Sequence, residues 1–129
     1  SGFMRIVSPS IVQRFWGRMI NIHPSLLPKY PGLGTHQKVL AEGEKEHGCC
    51  VHFVTEELDA GPVMAYAQLQ VLPEDTADSL KGRVHVLEHQ LYWRVIELIM
   101  QGVVYLKGNR AYFGENVIPK SGLQLPLGD

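Results

Sequence analysis

Apolar residues along the chain fall into runs of two kinds, one with the spacing of a β-strand and one with the spacing of an α-helix. Strands are predicted at residues 2–7, 19–23, 49–55 and 63–71, and a hairpin at 103–106 and 110–113 that turns on Gly108-Asn109. Helices are predicted at residues 9–16, 35–42 and 76–100, and residues 24–34 form a loop interrupted by prolines and glycines. This alternation of strands and helices is typical of an α/β fold.

The longest predicted helix, from about Thr76 to Met100, has an apolar stripe along one side. The members of this stripe step by three and four residues: Leu80, Val84, Leu87, Leu91, Val95 and Leu98. A polar flank lies beside the stripe and consists of Lys81, His85, Glu88 and Tyr92. We expect this flank to be solvated unless it faces a cleft.

The chain of 129 residues is long enough for one domain (1–129) with one hydrophobic core, and the residues after about 114 are predicted to form a loose tail. A formal net charge of −1 disfavours nucleic-acid-binding and membrane-surface functions, because both need a cationic face. We expect no membrane span, since the sequence has no apolar run near the roughly 20 residues that one requires. No signal peptide is expected either.

The two cysteines, Cys49 and Cys50, are neighbours in the sequence. Adjacent residues cannot reach relaxed disulfide geometry, and zinc sites need spaced ligands. We therefore interpret the pair as small residues in a buried strand of a reduced, cytosolic protein. The scattered histidines make a weak case for a metal site, so no metal is predicted.

Polar residues that could carry chemistry stand at the predicted ends of two strands. Asn21 and His23 are two residues apart in one strand and should face the same side, while Asp59 follows the next predicted strand. An amide, an imidazole and a carboxylate suit acyl transfer without a covalent intermediate, because together they can stabilise an oxyanion and move a proton. The alternatives remain open: Asn21 capping a turn, His23 a hydrogen-bonded loop histidine and Asp59 a turn former.

Several segments together resemble the folate-dependent glycinamide ribonucleotide formyltransferases of purine synthesis. They are GFMRIV at 2–7, GRMINIHPSLLPKYPGLGTH at 17–36, HGCCVHFVTEELDAGPV at 47–63, and the pairs Arg83-Val84 and Glu88-His89 of the long helix. The resemblance covers nearly the whole chain and weakens after about Gly108. NIHPSLLP is shared with the wider superfamily of formyltransferases and formyl hydrolases.

The resemblance implies the formyltransferase fold, a three-layer α/β sandwich with a partly parallel sheet. Members of that family begin with a mononucleotide-binding half, whose glycine-rich loop holds the phosphate of the acceptor, and this sequence lacks that half. The strand at 2–7 is therefore expected to have a bare edge, through which two copies could pair as a homodimer.

The resemblance also implies a reaction. The formyl donor is 10-formyltetrahydrofolate, a co-substrate, and the acceptor is the amino group of glycinamide ribonucleotide; no metal takes part. Asn21 and His23 would stabilise the oxyanion of the tetrahedral intermediate, while Asp59 would orient His23 and help to move protons.

By the same resemblance, two further groups of residues would bind the substrates. The folate-binding residues would be Met4, Arg5, Ile6, Val7, Thr55, Glu56, Glu57, Leu58 and Asp59. The acceptor-binding residues would be Met4, Ile22, Pro24, His85 and Glu88, with Glu88 holding the ribose hydroxyls. His52, in the middle of a predicted strand, is interpreted as a hydrogen-bonded core histidine. It would support the catalytic residues without binding the substrates itself.

Two other functions remain as alternatives to formyl transfer onto glycinamide ribonucleotide. The chain could be a non-catalytic fragment that binds folate. It could also be a related formyltransferase or a formyltetrahydrofolate hydrolase.

Overall fold

The computed structural model describes Ser10, residues 19–57, residues 60–125 and Leu127. The strands and helices in these ranges are β1 Ile20–His23, α1 Thr35–Ala41, β2 Glu46–Phe53, β3 Val63–Gln70, α2 Ala77–Met100, β4 Val104–Lys107, β5 Arg110–Phe113, β6 Asn116–Val117 and β7 Leu123–Gln124. They confirm the predicted elements from residue 19 to residue 113, although β2 begins three residues earlier than expected. The predicted strand at 2–7, with its proposed homodimer edge, and the helix at 9–16, apart from Ser10, lie outside the described residues.

The main sheet is mixed, as predicted. Its strands lie in the order β1-β2-β3-β7; β1 and β3 pair with β2 in antiparallel fashion, and β7 pairs with β3 in parallel. A second, antiparallel sheet has the order β4-β5-β6. The hairpin of β4 and β5 was also expected from the sequence.

The prediction of a loose tail after residue 114 is wrong for the residues up to Leu125. Val117 pairs with β5, and Leu123 pairs with Ala65 of the main sheet. Ile118 is buried, and Leu125 packs against the core. These residues are single apolar positions rather than a periodic run, so their partners, which are distant in sequence, decide their structure.

Helix α2 packs its buried stripe against the main sheet. The stripe consists of Leu80, Val84, Glu88, Leu91, Val95 and Leu98. Thr76 and Ser79 form a capping box at the N-terminus of the helix, in which the backbone N–H of each residue donates to the side-chain oxygen of the other. Glu88 was predicted on the polar flank, but the structure places it in the stripe between Val84 and Leu91.

Strand β2 is the centre of the molecule. Seven of its eight residues are buried, all except Glu46. Cys49 and Cys50 are both buried within it, as the sequence indicated. In the described part of the chain, no helix is long and apolar enough to cross a membrane.

Gly48 of β2 gives a test of how closely the central strands approach. A methyl group added there would collide with the backbone of Ala67 and Gln68 in β3. We expect Gly48→Ala to lower the free energy of unfolding by about 2–3 kcal/mol, because backbone atoms cannot move aside cheaply. Urea denaturation followed by circular dichroism measures this.

The matched control is Gly82, a glycine of α2 whose added methyl group would have nothing within 4 Å. Gly82→Ala should raise the free energy of unfolding by about 0.5–1 kcal/mol, since alanine restricts the unfolded chain. Equal effects at the two glycines would contradict the close packing of β2 on β3.

Candidate active site

Strand β1 presents two polar side chains to one side of the sheet and two apolar side chains to the other. Ile22 packs in the same core cluster as the stripe of α2, and Ile20 packs against that cluster. Since side chains alternate along a strand, Asn21 and His23 project from the opposite face of the sheet, as predicted. Asn21 pairs with His52 of β2, and His23 pairs with Cys50.

His23 is buried, and its ring is fixed by the backbone. Its Nε2 lies 2.9 Å from the carbonyl oxygen of Tyr30. A carbonyl oxygen can only accept, so Nε2–H of His23 donates this bond. A neutral His23 in this arrangement therefore carries its proton on Nε2.

Residues 24–34 form the predicted loop, and its first half is tied down by buried hydroxyl groups. The Ser25 hydroxyl is fully buried and donates to the carbonyl oxygen of Lys29 at 2.6 Å. The Thr35 hydroxyl, at the first residue of α1, donates to the carbonyl oxygen of Pro24 at 2.7 Å. The loop therefore leaves the end of β1 in a defined direction and returns to it at α1.

A cavity of about 1240 Å³ lies beside this loop. Part of its wall comes from residues after β2, namely Thr55, Glu56 and Glu57. Leu27, Pro28 and Pro31 of the loop form an apolar part of the wall. The remaining residues predicted to bind folate, Met4, Arg5, Ile6, Val7, Leu58 and Asp59, lie outside the described residues.

Glu88 has a buried carboxylate in which one oxygen has a hydrogen-bond partner and the other has none among the described residues. Its Oε2 lies 3.3 Å from Nδ1 of His85, so the two predicted acceptor-binding residues of α2 are in contact. Its Oε1 is buried and has no hydrogen-bond partner among the described residues. A buried acceptor of this kind costs free energy unless a donor reaches it.

His36 and His47 form an imidazole pair that the sequence analysis did not identify. His36 Nδ1 lies 3.0 Å from His47 Nε2. Burial, with a smaller contribution from the neighbouring His36, lowers the pKa of His47 to about 4. The two residues are eleven positions apart and follow no common periodicity, so no signal in the sequence could have paired them.

His36 also connects the two groups of candidate residues. Burial lowers its pKa, and the carboxylate of Glu88 partly offsets this effect. Lys81 and His23 act on the same ring and lower its pKa further. His36 is therefore within electrostatic reach of both His23 at the end of β1 and Glu88 on α2.

His52, predicted as a supporting residue, and Ile22, predicted to bind the acceptor, have well-defined places. His52 is buried, and its Nδ1 lies 3.0 Å from the carbonyl oxygen of Phe53, which confirms a hydrogen-bonded core histidine. Ile22 turns its side chain into the core, so its predicted contact with a substrate would have to use the main chain. In the described ranges, no three His, Cys, Asp or Glu residues are grouped so as to hold a metal ion.

Comparison with known proteins places the site in a family. The family model described as "Formyl transferase" matches residues 1–96. The chain belongs to the formyl transferase family. The phosphoribosylglycinamide formyltransferase of Escherichia coli (strain K12) is 47% identical over 122 residues, which are 95% of this chain and 58% of that protein. The chain therefore spans a little over half the length of this relative.

Solved structures support the same assignment. A phosphoribosylglycinamide formyltransferase from Coxiella burnetii superposes with a TM-score of 0.92 and 48% identity, over 98% of this chain and 59% of that chain. A formyltetrahydrofolate deformylase from Pseudomonas syringae pv. tomato superposes with a TM-score of 0.81 and 27% identity, over 86% of this chain and 37% of that chain. The formyl transferase fold predicted from the sequence is confirmed.

The His36–His47 pair predicts how stability depends on pH. The pKa of His47 is 6.5 in the unfolded chain and about 4 in the folded protein. As the pH falls from 6.5 to 4, the unfolded chain takes up a proton that the folded protein excludes. The free energy of unfolding should therefore fall over this range, by about 2 kcal/mol.

His47→Gln should flatten this dependence, because glutamine does not titrate. Urea denaturation between pH 4.5 and 7.5 measures the slope. His89→Gln, a change at an exposed histidine of α2, is the control and should keep the wild-type slope. Parallel curves for wild type and His47→Gln would rule out His47 as the source.

Proposed function

We propose that this chain provides the formyl-transfer centre of a glycinamide ribonucleotide formyltransferase, an enzyme of purine synthesis in the cytoplasm. The observation that carries the proposal is the placement of Asn21 and His23 side by side at the end of β1. The proposal is further supported by the membership of the formyl transferase family and by the similarity to proteins named phosphoribosylglycinamide formyltransferase.

The reaction is a direct transfer between two nitrogen atoms. The amino group of glycinamide ribonucleotide attacks the formyl carbon of 10-formyltetrahydrofolate, and the carbonyl oxygen becomes an oxyanion. The new C–N bond remains, the bond from the formyl carbon to N10 breaks, and the proton lost by the amine passes to N10. Tetrahydrofolate and the formylated acceptor are the products.

Asn21 and His23 suit the charge that develops in this reaction. The side-chain amide of Asn21 can donate a hydrogen bond to the oxyanion. His23 can add positive charge there when protonated, and it can carry the proton between the two nitrogens. Asp59, which lies outside the described residues, would favour the charged form of His23 and relay protons through water.

The proposed folate site is the large cavity beside the 24–34 loop. Its wall contains the segment from Thr55 to Glu57, in which the Thr55 hydroxyl donates to the carbonyl oxygen of Glu57 at 3.2 Å. Apolar loop residues on the other wall suit the flat ring of a pterin. Met4, Arg5, Ile6, Val7 and Leu58 would complete this site.

Glu88 is the proposed anchor for the acceptor. Its unoccupied Oε1 would accept hydrogen bonds from the ribose hydroxyls, which supply the donors that the buried oxygen lacks. His85 lies next to the other carboxylate oxygen and would line the same site. The main chain at Ile22 and Pro24 would form the side towards β1.

The second candidate is hydrolysis of formyltetrahydrofolate. It is favoured by the likeness to the Pseudomonas syringae deformylase, whose name states that activity. Water would then replace the amine as the nucleophile, and the product would be free formate. The third alternative is saturable folate binding without turnover.

One assay separates these functions. The purified chain is incubated with 10-formyltetrahydrofolate and glycinamide ribonucleotide, and the formylated acceptor and free formate are quantified. Formylated acceptor supports the proposal, and formate supports hydrolysis. Saturable folate binding with neither product would show a binding fragment and contradict catalysis by this chain.

His23→Ala should reduce the rate of transfer by about 100-fold or more, because it removes the charged group at the oxyanion. The affinity for folate should remain within about two-fold of wild type, since His23 contacts the reacting carbonyl rather than the pterin. Gln90→Ala, at an exposed position of α2, is the control. Turnover retained in His23→Ala would remove His23 from its proposed role.

Glu88→Gln should raise the KM for the acceptor by about 10-fold and leave the KM for the folate unchanged, because a charged hydrogen-bond acceptor is lost. Glu97→Gln, on the exposed side of the same helix, serves as the matched control. An increase in the KM for folate alone would reject the assignment of Glu88 to the ribose.

A further inference from the structure

Tyr30 holds a backbone conformation that tyrosine rarely adopts. Its φ is 54°, which lies in the left-handed region. For a residue with a side chain this costs about 1–2 kcal/mol, so surrounding contacts must maintain it. The carbonyl group of this residue is the one that accepts from Nε2 of His23.

Glu44 supplies contacts of this kind from outside the loop. Its Oε2 accepts from the Tyr30 hydroxyl at 3.1 Å and from Lys29 Nζ at 3.0 Å. The backbone N–H of Glu44 donates to the carbonyl oxygen of Val39 in α1, so the backbone that carries the carboxylate is fixed relative to α1. The hydrogen bond from Lys29 holds the pKa of Glu44 below its usual range, as does the one from Tyr30, so the carboxylate is charged at neutral pH.

The backbone on the other side of the loop is held by Ser25. Its hydroxyl lies 2.6 Å from the carbonyl oxygen of Lys29 and 3.2 Å from that of Tyr30. The side chains of Lys29 and Tyr30 are thus held by Glu44, while their carbonyl groups are held by Ser25. This double attachment fixes the direction in which the Tyr30 carbonyl points.

We propose that Glu44 is a positioning residue: through Tyr30 it aims a backbone carbonyl at His23 and thereby keeps the proton of neutral His23 on Nε2. The hydrogen bonds of Glu44 go to Lys29 and Tyr30 of the loop and to Val39 of α1, so Glu44 acts on His23 through the loop. The proposal deepens the function proposed above and rests on it for the catalytic value of His23. The position of the proton itself can be tested without any turnover.

The first experiment is nitrogen-15 NMR of the imidazole groups of the whole chain at pH 8. The signals of His23 are identified by their loss in His23→Gln. We expect Nε2–H to be the dominant tautomer of His23 in the wild-type protein. A dominant Nδ1–H tautomer would overturn the proposal, whether or not any variant folds.

The second experiment compares two glutamates that lie two residues apart. Glu44→Gln should raise the population of the minor tautomer of His23 at least three-fold, because the charge that holds Lys29 and Tyr30 is lost. Glu42→Gln is the matched control, since the Glu42 side chain is exposed and makes no hydrogen bond found among the described residues. Indistinguishable His23 signals in the two variants would overturn the proposal.

A third comparison tests the left-handed conformation itself. Tyr30→Ala and Tyr30→Gly both remove the hydroxyl, but glycine adopts positive φ freely and alanine does not. Tyr30→Gly should therefore keep the Nε2–H tautomer more fully than Tyr30→Ala does. Equal losses would show that the backbone conformation at this position does not control His23.

The transfer assay then separates the two proposals. If the chain transfers formyl groups, Glu44→Gln should lower kcat several-fold and change the KM values little, since it disturbs His23 and not the binding sites. If no transfer occurs but the tautomer shifts as expected, the proposed function fails and the positioning role stands. If transfer occurs and the tautomer does not respond to Glu44, the positioning role fails alone.

Discussion

The arrangement of the site depends on the antiparallel register between β1 and β2. Strand β1 has four residues, of which Ile20 and Ile22 pack on the core shared with α2. A shift of one residue in the register would turn Asn21 and His23 into that core and expose both isoleucines. Burying an amide and an imidazole in an apolar core is costly, so the apolar contacts of the two isoleucines decide which way the polar pair faces.

Burial of polar side chains is the second constraint, and its consequences differ between the His36–His47 pair and Glu88. His47 is held neutral by burial and by the neighbouring His36, so the pair is a hydrogen-bonded structural element. Glu88 is buried on the same side of the sheet with one oxygen lacking a donor among the described residues. Because the imidazole pair is neutral, it adds no positive charge to pair with this carboxylate, and Oε1 of Glu88 remains available to an incoming donor.

Local signals in the sequence predicted most of the fold from β1 to β5. Alternation placed Asn21 and His23 on one face, and breakers marked the loop that follows them. Glu88 lies four residues after Val84 and three before Leu91, so its spacing fits the stripe of α2, but its charge led to the prediction of a solvated flank. The pairing of β7 with β3 and the contact of His36 with His47 join positions far apart in sequence, and only tertiary structure brings them together.

The site therefore combines side chains on rigid secondary structure with a loop that needs additional contacts to keep its conformation. Asn21 and His23 project from a paired strand, and Glu88 projects from a long helix, so their backbones need no further support. The 24–34 loop has no such ladder, and Tyr30 within it adopts an unfavourable φ. The orientation of His23 depends on the carbonyl group of Tyr30, which belongs to this loop. The free energy that keeps the ring in place must then come from polar contacts outside the sheet, and Ser25, Thr35 and Glu44 are among the described residues that supply them.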